Sequence, residues 1–128
     1  MLEVLPIQDK NQQMAYCLQA KIKYDADLLA YGAYIDGEIA GICQFTIKPD
    51  GGRIQDLAAV TSKGDLQTLF VLGRATLNFI DLCGIHSAKF VSSSVDESLI
   101  KSIGFKKNND GIYEVSLDGF FDHPCQHG

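Results

Sequence analysis

Ala58-Ala59-Val60-Thr61-Ser62-Lys63-Gly64-Asp65-Leu66-Gln67-Thr68-Leu69-Phe70-Val71-Leu72-Gly73-Arg74 carries a strand through a short turn into the clearest helix of the chain. That helix runs from about Asp65 to Cys83. Leu66, Leu69, Phe70, Gly73, Leu77 and Ile80 form one stripe at helical spacing, and Val71, Leu72, Ala75, Phe79 and Leu82 form a second that overlaps it. A helix apolar over this much of its circumference belongs in an interior or against a second subunit. Gly84 suits the position just after it, where a left-handed backbone closes the last turn.

Upstream, Arg53 to Val60 reads as a strand, preceded by the turn Lys48-Pro49-Asp50-Gly51-Gly52. Leu28 to Ile35 and Glu38 to Ile47 are two arms of a hairpin about Asp36-Gly37, because a type I′ turn needs positive φ at both central residues. Neither alternating set of the second arm is strongly polar, so that strand should be covered on both faces. Met1 to Ile7 reads as a short strand that Pro6 places at an edge or end. Asp9 and Gln12 resemble a capping box, and Met14, Leu18 and Ile22 then give one apolar helix face reaching about Tyr24. Downstream, Ala88 to Ser94 is a strand, and Asp96 caps a short helix carrying Leu99, Ile100 and Ile103 that Gly104 ends. Phe105 starts another strand, Asn108 to Gly111 turns, and Tyr113, Val115 and Leu117 alternate along the last. Helices set between strands in this order give a three-layer α/β architecture on a mixed sheet. Residues 1–119 make one domain and residues 120–128 a C-terminal tail.

The 128 residues carry a formal net charge of −5 and no basic stripe, which argues against a nucleic-acid partner. A 46% hydrophobic fraction supports a core. No stretch approaches the ~20 apolar residues of a membrane span, and Met1 to Lys10 shows no signal-peptide pattern. Cys17, Cys43, Cys83 and Cys125 form no C-x-x-C pair, which fits reduced thiols and a cytoplasmic location better than a disulfide framework. His123, Cys125 and His127 offer three potential ligands without the second pair of a structural zinc site, so no metal is expected. His86 reads as a loop residue, and Ser92-Ser93-Ser94 has no triad partners at readable spacing.

The element order, together with Leu99-Ile100-Lys101-Ser102-Ile103-Gly104-Phe105, resembles the GNAT superfamily of acetyl-CoA-dependent N-acyltransferases. In that family the late helix often ends in leucine-tyrosine-x-x-leucine-glycine-phenylalanine. Tyr34 to Gly41 looks like the family's second-to-third-strand hairpin, and Ile54, Leu57 and Ala59 look like its acetyl-CoA-facing fourth strand. The likeness spans roughly residues 1 to 117. It implies a GNAT-like three-layer α/β/α fold with a mixed, mostly antiparallel central sheet. It also implies transfer of an acyl group from acetyl-CoA or another acyl-CoA to a small-molecule or peptide amine.

The resemblance also assigns residues. Backbone amides of Leu57, Ala58, Ala59 and Val60 would hold the thioester. Lys63 and the N–H groups of Asp65, Leu66, Gln67, Thr68 and Leu69 would meet the phosphates, since a helix N-terminus favours anions. This loop departs from the family's arginine/glutamine-x-x-glycine-x-glycine/alanine pattern: Gly64 stands at the first position, Gln67 and Leu69 replace glycines, and Asp65 adds a negative charge. Asp56 would be the base that takes the ammonium proton, directly or through water; it also reads as a solvated strand-edge carboxylate or a salt-bridge partner. Ile100 stands where the family often has its acidic tyrosine, and Ser93 where an asparagine often lies. Tyr113 is the nearest alternative acid by topology, or else structural. A second function class is a GNAT-fold module without catalysis that senses a ligand or forms a homodimer.

Overall fold

The computed structural model describes residues 1–92 and 95–121. Its strands are β1 (Leu2–Pro6), β2 (Leu29–Ile35), β3 (Glu38–Lys48), β4 (Gly51–Ala59), β5 (Ser87–Phe90), β6 (Lys106–Lys107) and β7 (Tyr113–Ser116). Its helices are α1 (Lys10–Ala20), α2 (Leu66–Leu82) and α3 (Glu97–Ile103). The strands form one mixed sheet in the order β1-β2-β3-β4-β5-β7-β6, antiparallel throughout except between β4 and β5.

Local chemistry sets the corners. Asp36 (φ 52°) and Gly37 (φ 85°) make the β2–β3 turn with both residues left-handed. The carboxylates of Asp9, Asp65 and Asp96 cap α1, α2 and α3, each accepting from a backbone N–H of its first turn. Gly84 and Gly104 follow α2 and end α3 at positive φ.

Strand alternation divides the side chains between two cores. Cys43, Phe45, Ile54 and Leu57 pack with Leu72, Leu77 and Ile80 of α2 and with Ile100 and Ile103 of α3. On the other face Ile42, Ala30 and Val60 pack with Cys17 of α1. The sheet is thus the middle of three layers, and β3 is buried from Ala40 to Phe45. Burying one such large apolar side chain contributes about 1.5–3 kcal/mol. Phe120 and Phe121, placed in the tail by sequence, pack against the larger core. No described helix is long and apolar enough to cross a membrane.

α1 lies rotated from its expected setting. Met14 is 46% and Leu18 80% exposed, and the helix ends at Ala20, where Lys21 turns left-handed. Gln13 and Cys17 face the sheet instead, both fully buried. Apolar spacing misleads here because a glutamine whose hydrogen bonds are all made can occupy an interior position.

Two irregularities shape the middle of the sheet. Gln44 pairs with Asp56 but Phe45 pairs with Ile54, so Gln55 is the extra residue of a β-bulge. At that point β4 and β5 part. Their pairing covers only Gly52–Ile54 with Ala88–Phe90 and ends at the bond from Val91 N–H to Ile54 O, 3.0 Å. β4 runs on to Ala59, held by β3 on one edge and, among the described residues, by no strand on the other.

Candidate active site

The parting of β4 from β5 opens the sheet, and grooves lie on either side of the opening. One, about 390 Å3, wraps the free edge of β4 between Leu57-Ala58-Ala59, the α2 residues Leu66 and Leu69, the start of α3 at Asp96 and Leu99, and the end of α1. The other, about 600 Å3, is lined by Arg53, Lys89, Phe90, Ile100 and Tyr113 among others, and Val95 borders both. The sequence places Leu57, Ala58, Ala59, Leu66 and Leu69 in one site, and the structure brings them together.

Backbone direction on β4 follows from its pairing. Val60 N–H donates to Ala40 O at 2.8 Å, across to β3. Side and backbone groups repeat with period two along a strand, so Ala58 also faces β3 while Leu57 and Ala59 present their N–H groups to the opening. Val60 therefore does not supply a free amide.

Asp56 lies on the α1 face, half-buried. Its Oδ2 accepts from Gln44 Nε2 at 2.8 Å. Burial pushes its carboxyl above the ordinary value, and the Gln44 hydrogen bond offsets part of that rise. Asp56 forms no salt bridge among the described residues. A partly desolvated carboxylate with one fixed oxygen is suited to accepting a proton. Gln44, a lone amide between buried Cys43 and Phe45, is the residue that sequence reasoning missed; a polar side chain inside an apolar strand was its signal.

The loop before α2 is built differently from its sequence reading. Asp65 turns its own carboxylate onto the helix start, accepting from Thr68 N–H at 2.8 Å, and this bond holds the carboxyl below its usual range. Leu69 N–H bonds to Asp65 O and Asp65 N–H to Lys63 O. Only the N–H groups of Leu66 and Gln67 in this run have no acceptor among the described residues. Lys63 reaches back to Glu38 at 2.7 Å and so ties the loop to the β2–β3 hairpin. Gly64 serves packing: a Cβ there would lie 2.3 Å from Ala40 O and 2.8 Å from Ala59 Cβ. Leu66 is 59% exposed at the rim, and Leu69 packs inward over Gly41.

Of the proton-donor candidates, Tyr113 lines the groove of about 600 Å3. Ile100 is buried and has no proton to give. The Tyr113 hydroxyl donates to Glu97 Oε2, which raises the phenol to about 12. Lys101 and Lys107 flank the same carboxylate, at 3.8 and 3.5 Å. Ser93 lies outside the described residues, as do His123, Cys125 and His127.

These features test the site against a CoA thioester. The open strand edge and the groove beside it suit the slender arm and its carbonyl. The helix start, already capped by a carboxylate, does not match a diphosphate cradle except at the two free amides of Leu66 and Gln67.

The chain has the fold of the GNAT acetyltransferases. It is similar to the ribosomal-protein-S18-alanine N-acetyltransferase from Escherichia coli, with a TM-score of 0.66 at 13% identity over 89% of each chain. A GNAT family acetyltransferase from Brucella melitensis in complex with acetyl-CoA gives 0.69 at 12% identity, covering 91% of this chain and 88% of the other. A Bacillus subtilis acetyltransferase in complex with CoA gives 0.67 at 19% identity, covering 83% and 77%. No protein-family model and no curated protein sequence matches the chain.

Proposed function

We propose that this protein binds an acyl-CoA by its thioester arm in the opening between β4 and β5 and transfers the acyl group to a small-molecule or peptide amine. The observation that carries the reading is the free edge of β4 beyond Ile54, with a groove of about 390 Å3 along it. The acyl-CoA supplies an activated carbonyl. Leu57 and Ala59 N–H groups point at the place where negative charge would develop on its oxygen. Asp56, one strand face away, takes the proton of the incoming ammonium directly or through a water. The amine enters from the Arg53–Tyr113 side. Among the described residues, the Tyr113 hydroxyl at the opening is committed to Glu97; a thiol titrates near 8.5, so solvent can protonate the departing sulfur.

A second reading is favoured by the loop. Asp65 on the helix start, Lys63 committed to Glu38 and Ile100 in the acid's place fit a module that senses a ligand or pairs with a second copy without catalysis. Exposed Leu18, Leu66 and Leu82 would give such a homodimer apolar surface. Free thiols at Cys17, Cys43 and Cys83 suit a reducing, cytoplasmic setting for either reading.

Thermal denaturation with acetyl-CoA separates these readings. A ligand at about a hundred times its dissociation constant stabilises the fold by ~2.7 kcal/mol. Stabilisation with CoA release in the presence of an amine panel supports the transferase. Stabilisation without turnover selects the sensing module, and no stabilisation at millimolar acetyl-CoA rejects both uses of the cleft.

A further inference from the structure

Two glutamines with no exposed surface lie end to end across the interior beneath α1. Gln44 Nε2 donates to Asp56 Oδ2 at 2.8 Å and to the backbone oxygen of Lys23 at 2.9 Å. Gln44 Oε1 accepts from Gln13 Nε2 at 2.9 Å. Gln13 Nε2 also reaches Leu28 O at 3.4 Å, and Gln13 Oε1 accepts from Lys10 Nζ at 3.1 Å. Lys10 Nζ in turn donates to Leu28 O at 2.6 Å. Among the described residues no buried side-chain nitrogen or oxygen lacks a partner.

We propose that Gln44 is the positioning residue of this site, its single buried carboxamide fixing the Asp56 carboxylate and the loop between α1 and β2 in one arrangement. The inference rests on the acyl-transfer reading and goes beyond it, to the group that sets the base.

The geometry allows only one direction through the chain of bonds. Turning the Gln44 amide over would set its oxygen against a carboxylate and a carbonyl while its NH2 met the NH2 of Gln13. The polarity therefore runs from the Lys10 ammonium through two amides to the carboxylate. One Asp56 oxygen is held. The other, Oδ1, accepts from no protein group among the described residues, which leaves it for a proton. The same amide holds Lys23 O, and Gln13 with Lys10 holds Leu28 O. Both bonds fall in the loop after α1, whose first residues, Lys21 and Ile22, wall the β4 groove. The base and that wall are thus held by a common set of hydrogen bonds.

The Gln13–Gln44 bond by itself adds little to core stability, while the acceptors these amides also serve (Asp56 Oδ2, Lys23 O and Leu28 O) depend on them. Exchanging both partners of a buried hydrogen bond for apolar groups of the same shape is close to neutral. What a directed amide pair adds is a defined orientation, and the oriented group here is the half-buried Asp56 carboxylate on the α1 face, next along β4 to Leu57. The titratable group nearest Asp56 on the α1 face is the Cys17 thiol; the Cys43 thiol lies across the strand, on the α2 face, within reach of the Asp56 field. Burial raises them to about 11 and about 12, so both stay neutral while the carboxylate titrates.

The test is a carbon-13 NMR titration of the Asp56 carboxyl, paired with the pH dependence of acetyl transfer. It is run on wild type, Gln44→Leu and the double variant Gln13→Leu/Gln44→Leu. The double variant leaves no widowed glutamine and keeps the measurement possible if the single variant unfolds. Expected is an upward move of the Asp56 midpoint in both variants. The acid limb of kcat should move with it, kcat should fall about tenfold, and KM for acetyl-CoA should hold within about twofold. A folded variant with an unmoved Asp56 midpoint overturns the proposal, whether or not any amine is acetylated. A moved midpoint with unchanged kcat rejects Asp56 as the base, and the acyl-transfer role of Gln44 falls with it. Where no amine turns over, the titration alone decides the positioning claim.

Discussion

Two regions border the same groove and answer differently to the loss of a sequence pattern. The free edge of β4, from Gln55 to Ala59, presents backbone N–H groups because a bulge and a parting of strands leave that edge without a neighbouring strand among the described residues. The start of α2, from Lys63 to Leu69, presents N–H groups because a helix always leaves its first ones unpaired. At the strand edge any side chain supplies the amide, so the capacity follows from topology. At the helix start the side chains decide, and here Asp65 has placed a carboxylate where an anion would sit. The strand edge thus keeps its capacity whatever its side chains, while the helix start spends part of its own on Asp65.

That contrast can be broken most forcefully at Asp56. Asp56→Asn keeps the Gln44 contact and removes the base, so kcat should drop by about 10²- to 10⁴-fold while acetyl-CoA still stabilises the fold. Steady-state kinetics with melting curves check this, and an unchanged kcat rejects the assignment. The same variant has a pH signature. Burial raises the folded-state pKa of Asp56, so the native protein binds more protons than the unfolded chain between the unfolded value, ~3.9, and the raised one. Wild-type stability should fall as pH rises through that window, and Asp56→Asn should flatten the fall. The wild-type rate should lose its acid side above the ordinary carboxylate range.

Gly64→Ala comes next. Its methyl group would meet Ala40 O at 2.3 Å, a backbone atom that cannot swing away. The expected loss is about 3 kcal/mol, as for severe overpacking, read as a lowered urea midpoint. An unaffected midpoint shows that the loop is not seated on β3 and β4.

Asp65→Gly sharpens the contrast from the other side. Glycine caps a helix nearly as well as aspartate, so the fold should persist while acetyl-CoA binds about fivefold tighter in calorimetry. Weaker binding would remove the phosphates from this end of α2. Smallest is Glu38→Gln, which frees Lys63 from an exposed ion pair; an affinity gain of about twofold or less is expected, lost at high salt.

The parts of this fold legible in the sequence are those settled within a few residues. Asp36-Gly37, the capping Asp96, and the closing Gly84 and Gly104 each act on their own turn, and each stands where its chemistry placed it, whereas Asp65, read as a charge against the phosphates, caps α2 instead. The stretch Leu57 to Ala59, read in sequence beside the helix start, does border one groove with Leu66 and Leu69. Hidden from sequence were the pairings across distance. Gln13 meets Gln44 and Tyr113 meets Glu97 only once the sheet has formed. That first pairing also explains the setting of α1: the buried amide outweighed the Met14–Leu18 spacing. Gly64 read as a failed phosphate residue because its true neighbour, Ala40, lies on another strand.

The most direct measurement follows backbone amide resonances while acetyl-CoA is added to the wild-type protein. The largest saturable shifts should fall at Leu57 and Ala59, with Val95 to Leu99 responding and Leu66 and Gln67 moving less. Saturable shifts that leave Leu57 and Ala59 still, or no saturable shifts at millimolar acetyl-CoA, would contradict a thioester site on the open edge of β4.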